Sequence, residues 1–317
     1  MRMRAYQLTG FDARPRITDV ERPTPGEGEV LVEVRTSSVN PLDANIAAGR
    51  ARRYKRYAFP AVLGTDFAGV VAATGPGVTG PAVGERVFGL LHADTVRSGA
   101  FAEYVTVPQG QLAVIPAALD DLTAGALGLA GVTALSCLDA VGVGKADTLL
   151  VVGASGGVGS FATRFASARG VRVVATARPG AEERHVRAAG AAETVDWSAG
   201  DVAAAVRDRH PAGVTAVIDL VDRDPAAFAP LVTATLAAGG RAASTLRAAD
   251  PQSLHGIPAV NVRPRVDAEL LDRLAELAQD GPRESPVTAA YDFDRIDAAF
   301  AALAAGAVGK LAVRISG

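Results

Sequence analysis

Cysteine is almost absent: Cys137 is the only one in 317 residues. A lone thiol excludes an internal disulfide framework and any multi-cysteine zinc or iron–sulfur site. Histidine is scarce as well, and His92, His185, His210 and His255 are scattered without the spacing of metal ligands. No excess of one charge exists either, since 32 Lys and Arg face 34 Asp and Glu for a net of −2. That balance provides no global field for nucleic acid or an anionic membrane, so neither is an expected partner. The opening Met1-Arg2-Met3-Arg4-Ala5-Tyr6 is not followed by an apolar signal core, and a cytoplasmic protein is expected. One uncharged run, Leu122 to Leu138, lies just under the length of a membrane span. It holds three glycines, and a buried helix between two domains accounts for it.

What remains is 49% hydrophobic, enough for a sizeable core, in a chain of about two-domain length. Up to about residue 120, short runs such as Val30–Val34, Ala68–Val71 and Phe101–Val107 read as strands. Turn signals at Pro25-Gly26, Gly75-Pro76-Gly77 and Gly80-Pro81 separate them, which suggests a compact β-barrel domain. From about 125 the rhythm becomes strand and helix in alternation. Strands are expected at Thr148–Val152, Val171–Thr176, Thr194–Asp196, Val214–Leu220, Arg241–Ser244 and Val260–Val262. Helices are expected from the glycine turn to Ala168 and around Glu182–Ala189. The series argues for an α/β unit, a doubly wound parallel sheet with helices on both faces. The tail adds helices at Ala268–Gln279 and Ile296–Ala305 and a strand at Leu311–Ile315.

The chemistry begins at Gly153-Ala154-Ser155-Gly156-Gly157-Val158-Gly159, where an apolar strand meets a glycine turn that opens a helix. Such turns let phosphate oxygens approach backbone N–H groups at the positive helix end. Ala154 stands at the first glycine of the dinucleotide fingerprint, while Gly156 and Gly159 hold the second and third. The same letters spell Gly153-x-Ser155-x-Gly157, the nucleophile elbow of hydrolases, with Asp219 and His255 following in order. Against that reading, no oxyanion-loop motif precedes Ser155, and His255 sits in a Pro/Gly-flanked loop. The next strand ends at Thr176, and Arg178 stands 22 residues past Gly156 where an NAD site carries an acid. A guanidinium beside a hydroxyl suits a 2′-phosphate, so NADPH is expected over NADH.

Several ordered segments then carry a resemblance. They are Ser37-Ser38-Val39-Asn40-Pro41-Leu42-Asp43, Leu63-Gly64-Thr65-Asp66-Phe67-Ala68-Gly69, Val83-Gly84-Glu85-Arg86-Val87-Phe88-Gly89, Gly99–Val105, Leu129–Ala134, the glycine turn, and Gly309-Lys310-Leu311. Together the chain resembles a medium-chain dehydrogenase/reductase of the zinc-independent quinone oxidoreductase type (zeta-crystallin or alkenal reductase). The resemblance implies a GroES-like β-barrel domain, residues 1–122 and 266–317, around a Rossmann NADP(H)-binding domain, residues 123–265. Zinc members carry Cys at Asn40 and Gly-His-Glu at Gly64-Thr65-Asp66, so no zinc is expected here.

The resemblance further implies hydride transfer from NADPH to an enone or quinone. Asn40 would lie beside the nicotinamide and donate to an oxyanion, and Thr133, at a helix start, would face the ring. Thr176, Arg178, Ser244, Val260, Val262 and Lys310 join the glycine turn as expected cofactor contacts. Family members often carry Tyr at Asn45 and Arg at Ala47, both facing substrate, and their loss puts quinone itself in question. Asp222 replaces a common glycine, and 245–258 fits the family pattern poorly. Residues 50–57 hold five cations and two tyrosines. A solvated loop is the plain reading, and in the family the segment lies near the substrate entrance. There it would attract an acidic or phosphate-bearing acyl thioester, with Tyr54 or Tyr57 as proton donor. The rivals are an enoyl-thioester reductase of a biosynthetic pathway and a low-turnover, crystallin-like, RNA-contacting NADPH binder. Homodimers are common in the family.

Overall fold

The computed structural model describes residues 1–280 and 284–316. The chain divides into two compact units, one of Met1–Leu129, Val266–Gln279 and Val287–Gly317, the other of Ala130–Arg265 and Asp280–Pro286. The division falls inside the helix Asp121–Val141, which covers the uncharged run. That helix is long and apolar enough to cross a membrane, but 78% of its most apolar window is buried within the fold.

The first unit is built on a mixed sheet. Its strands run in the order Leu112–Val114, Arg86–Leu90, Asp66–Thr74, Glu29–Val39, Lys310–Arg314 and Val287–Asp292, with Tyr104–Pro108 also paired to Glu29–Val39. A smaller sheet sets Arg2–Leu8 between Arg16–Glu21 and Ala61–Val62. Val30, Leu31, Val32 and Val34 are all buried, so the central strand has core on both faces and β-branched residues suit it. The closing strand lands on this sheet by pairing Leu311 with Val39 and Ala312 with Ser38. That pairing carries Lys310 next to Asn40.

In the second unit six strands are parallel. Their order is Glu193–Val195, Arg172–Thr176, Thr148–Val152, Val214–Asp219, Leu236–Ser244 and Ala259–Asn261. The connection reverses direction between Thr148–Val152 and Val214–Asp219. Open α/β sheets bind ligands at such a reversal, outside the carboxyl ends of the strands. Six fully buried phenylalanines fill the two cores: Phe67, Phe88 and Phe101 in the first unit, Phe161, Phe165 and Phe228 in the second. Each stabilises its core by about 2–3 kcal/mol through removal of apolar surface from water.

Several expectations shift. The Phe101–Val107 strand starts only at Tyr104. The hairpin Arg2–Leu8/Arg16–Glu21 and the helices Pro41–Ala47, Val202–Arg209 and Pro225–Thr235 were not anticipated. Thr133 is no helix-start residue, because its helix begins twelve positions earlier at Asp121. The hydroxyl at that start belongs to Thr123, whose Oγ1 donates to Asp120 Oδ2 at 2.7 Å.

Candidate active site

The strand Thr148–Val152 delivers the chain to Gly153, whose φ of +79° only glycine adopts without strain. Its N–H donates to Thr176 Oγ1 at 2.9 Å, which ties the turn to the end of the neighbouring strand. Gly156 then caps the helix Gly157–Ala168 in extended conformation, with no side chain bonded to the cap. A Cβ on Gly159 would stand 2.3 Å from Gly153 O and 2.5 Å from Ala154 Cα, so only hydrogen fits there. Ser155, Gly156, Gly157 and Val158 stay half-exposed around helix-end N–H groups that no side chain among the described residues satisfies. A pyrophosphate fits this cradle by the chemistry of its donors. Behind it, Ser160 Oγ donates to Gly156 O at 2.7 Å and lies 2.7 Å from His185 Nε2.

Arg178 sits at the end of the second strand, but it is not alone. Its Nε donates to Glu182 Oε1 at 2.8 Å and its backbone N–H to Glu182 Oε2 at 2.8 Å. Trp197 Nε1 donates to the same Oε2 at 3.0 Å, and the guanidinium lies 5.1 Å over the indole. Burial alone would raise the Glu182 carboxyl, yet these hydrogen bonds outweigh it and hold the group below its ordinary value. The strand end itself carries no acid, and the structure returns one from four residues later. Both its oxygens are engaged, and the Arg178 side chain remains 52% exposed to meet an anion.

The remaining cofactor candidates divide. Ser244 is fully buried, and its Oγ accepts from Leu246 and Ala248 N–H, so it shapes the turn after its strand. Val262 N–H donates to Ser244 O at 2.8 Å, while Val260 is 46% exposed beside it. Lys310, expected among the cofactor contacts, has a partner inside the first unit. Its ammonium is 3% exposed and donates to Asn40 Oδ1 at 2.7 Å.

Around Asn40 the first unit assembles a buried polar cluster. Asn40 Nδ2 donates to Asp43 Oδ2 at 3.0 Å and to Asp66 Oδ2 at 2.9 Å. Lys310 Nζ lies 3.5 Å from Asp66 Oδ2, Leu129 N–H donates to Asp66 Oδ1, and Ser38 and Thr65 hydroxyls donate to Asp66 and Asp43. The Asn40 amide N–H groups thereby face two carboxylates and, at 3.3 Å, Ser38 O. In this geometry neither N–H is turned toward the oxyanion expected of it. Burial, then the Asp66 charge, pushes the Asp43 carboxyl up to about 7, against the pull of Thr65, Asn40 and Lys310. Burial likewise lowers Lys310, against Asp66 and Asp43. Asp43 and Asp66 lay inside quoted motifs without an assigned role; their spacing to a distant lysine is invisible in sequence.

Thr133 is buried in the middle of its helix in the second unit. Asn45 Oδ1 accepts from Arg50 Nε at 2.8 Å. Tyr57 donates its phenol hydrogen to Ile46 O at 2.9 Å, and burial raises its pKa. Tyr54 is 60% exposed. His255 adopts a φ of +47° in a surface turn, and Ser155 has no imidazole partner among the described residues, so the hydrolase reading finds no support. Asp219, at the carboxyl end of the strand beside Thr148–Val152, accepts from Val221 and Asp222 N–H through Oδ1. Its Oδ2 is buried with no partner among the described residues, and burial raises the carboxyl to about 6.

Known proteins resemble both halves. The sequence model described as "Alcohol dehydrogenase GroES-like domain" matches residues 26–117, and "Zinc-binding dehydrogenase" matches 157–253. An alcohol dehydrogenase superfamily protein from Novosphingobium aromaticivorans is 30% identical with a TM-score of 0.85, over 99% of this chain and 100% of its own. Mycobacterial Rv1454c complexed with NADPH is 29% identical with a TM-score of 0.80, over 98% and 99%. Phthioceranic/hydroxyphthioceranic acid synthase of Mycobacterium tuberculosis is 36% identical over 221 residues, 69% of this chain but only 10% of that protein. Quinone oxidoreductase of Sus scrofa is 34% identical over 57% of this chain and 53% of its own length.

Proposed function

Because the chain belongs to the medium-chain dehydrogenase/reductase superfamily and is quinone oxidoreductase-like, we propose that it is an NADPH-dependent, zinc-independent reductase of conjugated carbonyls or quinones. The observation that carries the reading is the bare helix end at Gly156–Gly159 with the half-exposed Arg178 one strand away. Backbone N–H groups of the turn would hold the pyrophosphate, and Arg178, kept in place by Glu182 and Trp197, would meet a 2′-phosphate. The coenzyme complex of the mycobacterial relative supports the same choice.

When bound, NADPH supplies the hydride. An enone would take that hydride at its β-carbon and a proton from solvent at its α-carbon, and a quinone would take a hydride and a proton to give the hydroquinone. By the family resemblance, Thr133 would supply the hydroxyl beside the ring. Asn40 becomes a positioning residue, since its amide joins Lys310 to both carboxylates. What supports a zinc-independent chemistry is the donor set itself. An amide, a hydroxyl and an ammonium gather around Asp66, and an ammonium repels a metal cation where zinc needs N, S or carboxylate ligands.

The test is calorimetry with each dinucleotide, followed by oxidation assays with a small enone and a quinone. NADPH is expected to bind at least ten-fold tighter than NADH, and Arg178→Ala should erase that preference while leaving NADH affinity unchanged. Equal affinity for both in the wild type refutes the assignment of Arg178. Binding without oxidation of NADPH by either acceptor would favour the low-turnover binder instead.

A further inference from the structure

The basic segment takes no part in the glycine turn or the Asn40 cluster. Arg50–Arg53 form a single 3-10 turn, and Arg56–Tyr57 pair with Thr95–Val96. Between them opens a cavity of about 450 Å³ lined by Arg52, Arg53, Tyr54, Lys55, Arg56 and Asp94. Four cations face one carboxylate there, a local charge of +3 in a chain whose net charge is −2. The Arg53 and Arg56 side chains make no hydrogen bond or ion pair with other described residues, while the Arg56 backbone N–H donates to Asp94 O at 2.9 Å. The Arg52 guanidinium lies 5.8 Å from the Phe11 ring and has no carboxylate partner among the described residues. Tyr54 stands among them with 60% of its surface exposed.

Like charges held together without partners repel one another, and a bound polyanion relieves that repulsion. Guanidinium groups match phosphate with paired N–H donors. A carboxylate or a single phosphodiester would answer only one of the three net charges. An exposed aromatic ring between guanidinium groups adds the platform on which a base stacks. We propose that this cavity anchors a nucleotide polyphosphate handle on the substrate, so that the acceptor is an enoyl thioester of coenzyme A rather than a free quinone. The choice of acceptor rests on the reductase reading; the anchor itself does not.

The two are tested apart. Calorimetry with coenzyme A alone compares the wild type with Arg53→Gln/Arg56→Gln and with Tyr54→Ala. The double variant should weaken binding at least ten-fold and Tyr54→Ala several-fold, and the wild-type affinity should fall between 50 and 200 mM salt. NADPH oxidation is then followed with crotonyl-coenzyme A and with crotonyl-N-acetylcysteamine, which has the same reacting group and no phosphate. The double variant should raise KM at least ten-fold for the first substrate, keep its kcat, and leave the second unchanged. If the wild type does not bind coenzyme A, if the double variant binds it equally, or if NADP⁺ displaces it, the anchor is refuted. If coenzyme A binds as expected but no enone, quinone or thioester is reduced, the reductase reading fails and the anchor stands.

Discussion

Lys310→Met is the sharpest perturbation the structure offers. The ammonium is the one cation in a cluster that holds Asp43 and Asp66, and all three side chains are 3% exposed or less. Removing one partner of a buried ion pair leaves a charge that water cannot reach, at a cost of about 3–5 kcal/mol. The pH dependence gives the loss a signature. Asp43 has a folded pKa of about 7 against 3.8 ordinarily, so the folded state holds this proton more tightly than the unfolded chain. Stability from this group is therefore full below about pH 3.8 and declines as pH rises toward 7, by roughly 4 kcal/mol in all. The Lys310 charge opposes that rise, so its removal drives the Asp43 carboxyl higher and extends the decline above pH 7. Urea unfolding followed by circular dichroism should show the variant about 3–5 kcal/mol less stable at pH 8 and closer to the wild type at pH 5. The double variant Asp43→Asn/Lys310→Met, which removes a negative charge along with the positive one, should recover a large part of the loss. A cost under about 1 kcal/mol at pH 8, or one that does not change with pH, would refute the cluster's electrostatics.

Two other changes are equally direct. Gly159→Ala forces a methyl within 2.3 Å of Gly153 O, so the turn must open, and dinucleotide affinity measured by calorimetry should drop at least ten-fold with circular dichroism unchanged. Tyr57→Phe deletes the bond to Ile46 O, and thermal unfolding should register a loss of about 1 kcal/mol while kcat with a small enone is kept.

Period and punctuation made the second unit readable. Apolar strands such as Thr148–Val152 and Val214–Asp219, broken by glycine and capped by helices, lie in the structure within a residue or two of where the sequence puts them. The glycine turn was legible for the same reason, because its chemistry is local. The first unit was harder. Arg2–Leu8 hides its inward side chains among arginines, and Pro225–Thr235 carries an internal proline that argues against a helix. The Asn40 cluster was illegible in principle, since strand pairing brings Lys310 to residues that stand some 270 positions away. Glu182 escaped notice for a different reason: a search for an acid at the strand end does not look one helical turn further on.

Trp197 is the only tryptophan in the chain, and it donates to Glu182 beneath the Arg178 guanidinium. The protein thus carries one indole, which can be excited selectively over its five tyrosines, placed against the very groups that would sense an incoming nucleotide. Its emission reads occupancy without an added label, and energy transfer from the indole to a reduced nicotinamide would separate the reduced from the oxidised coenzyme in a single titration.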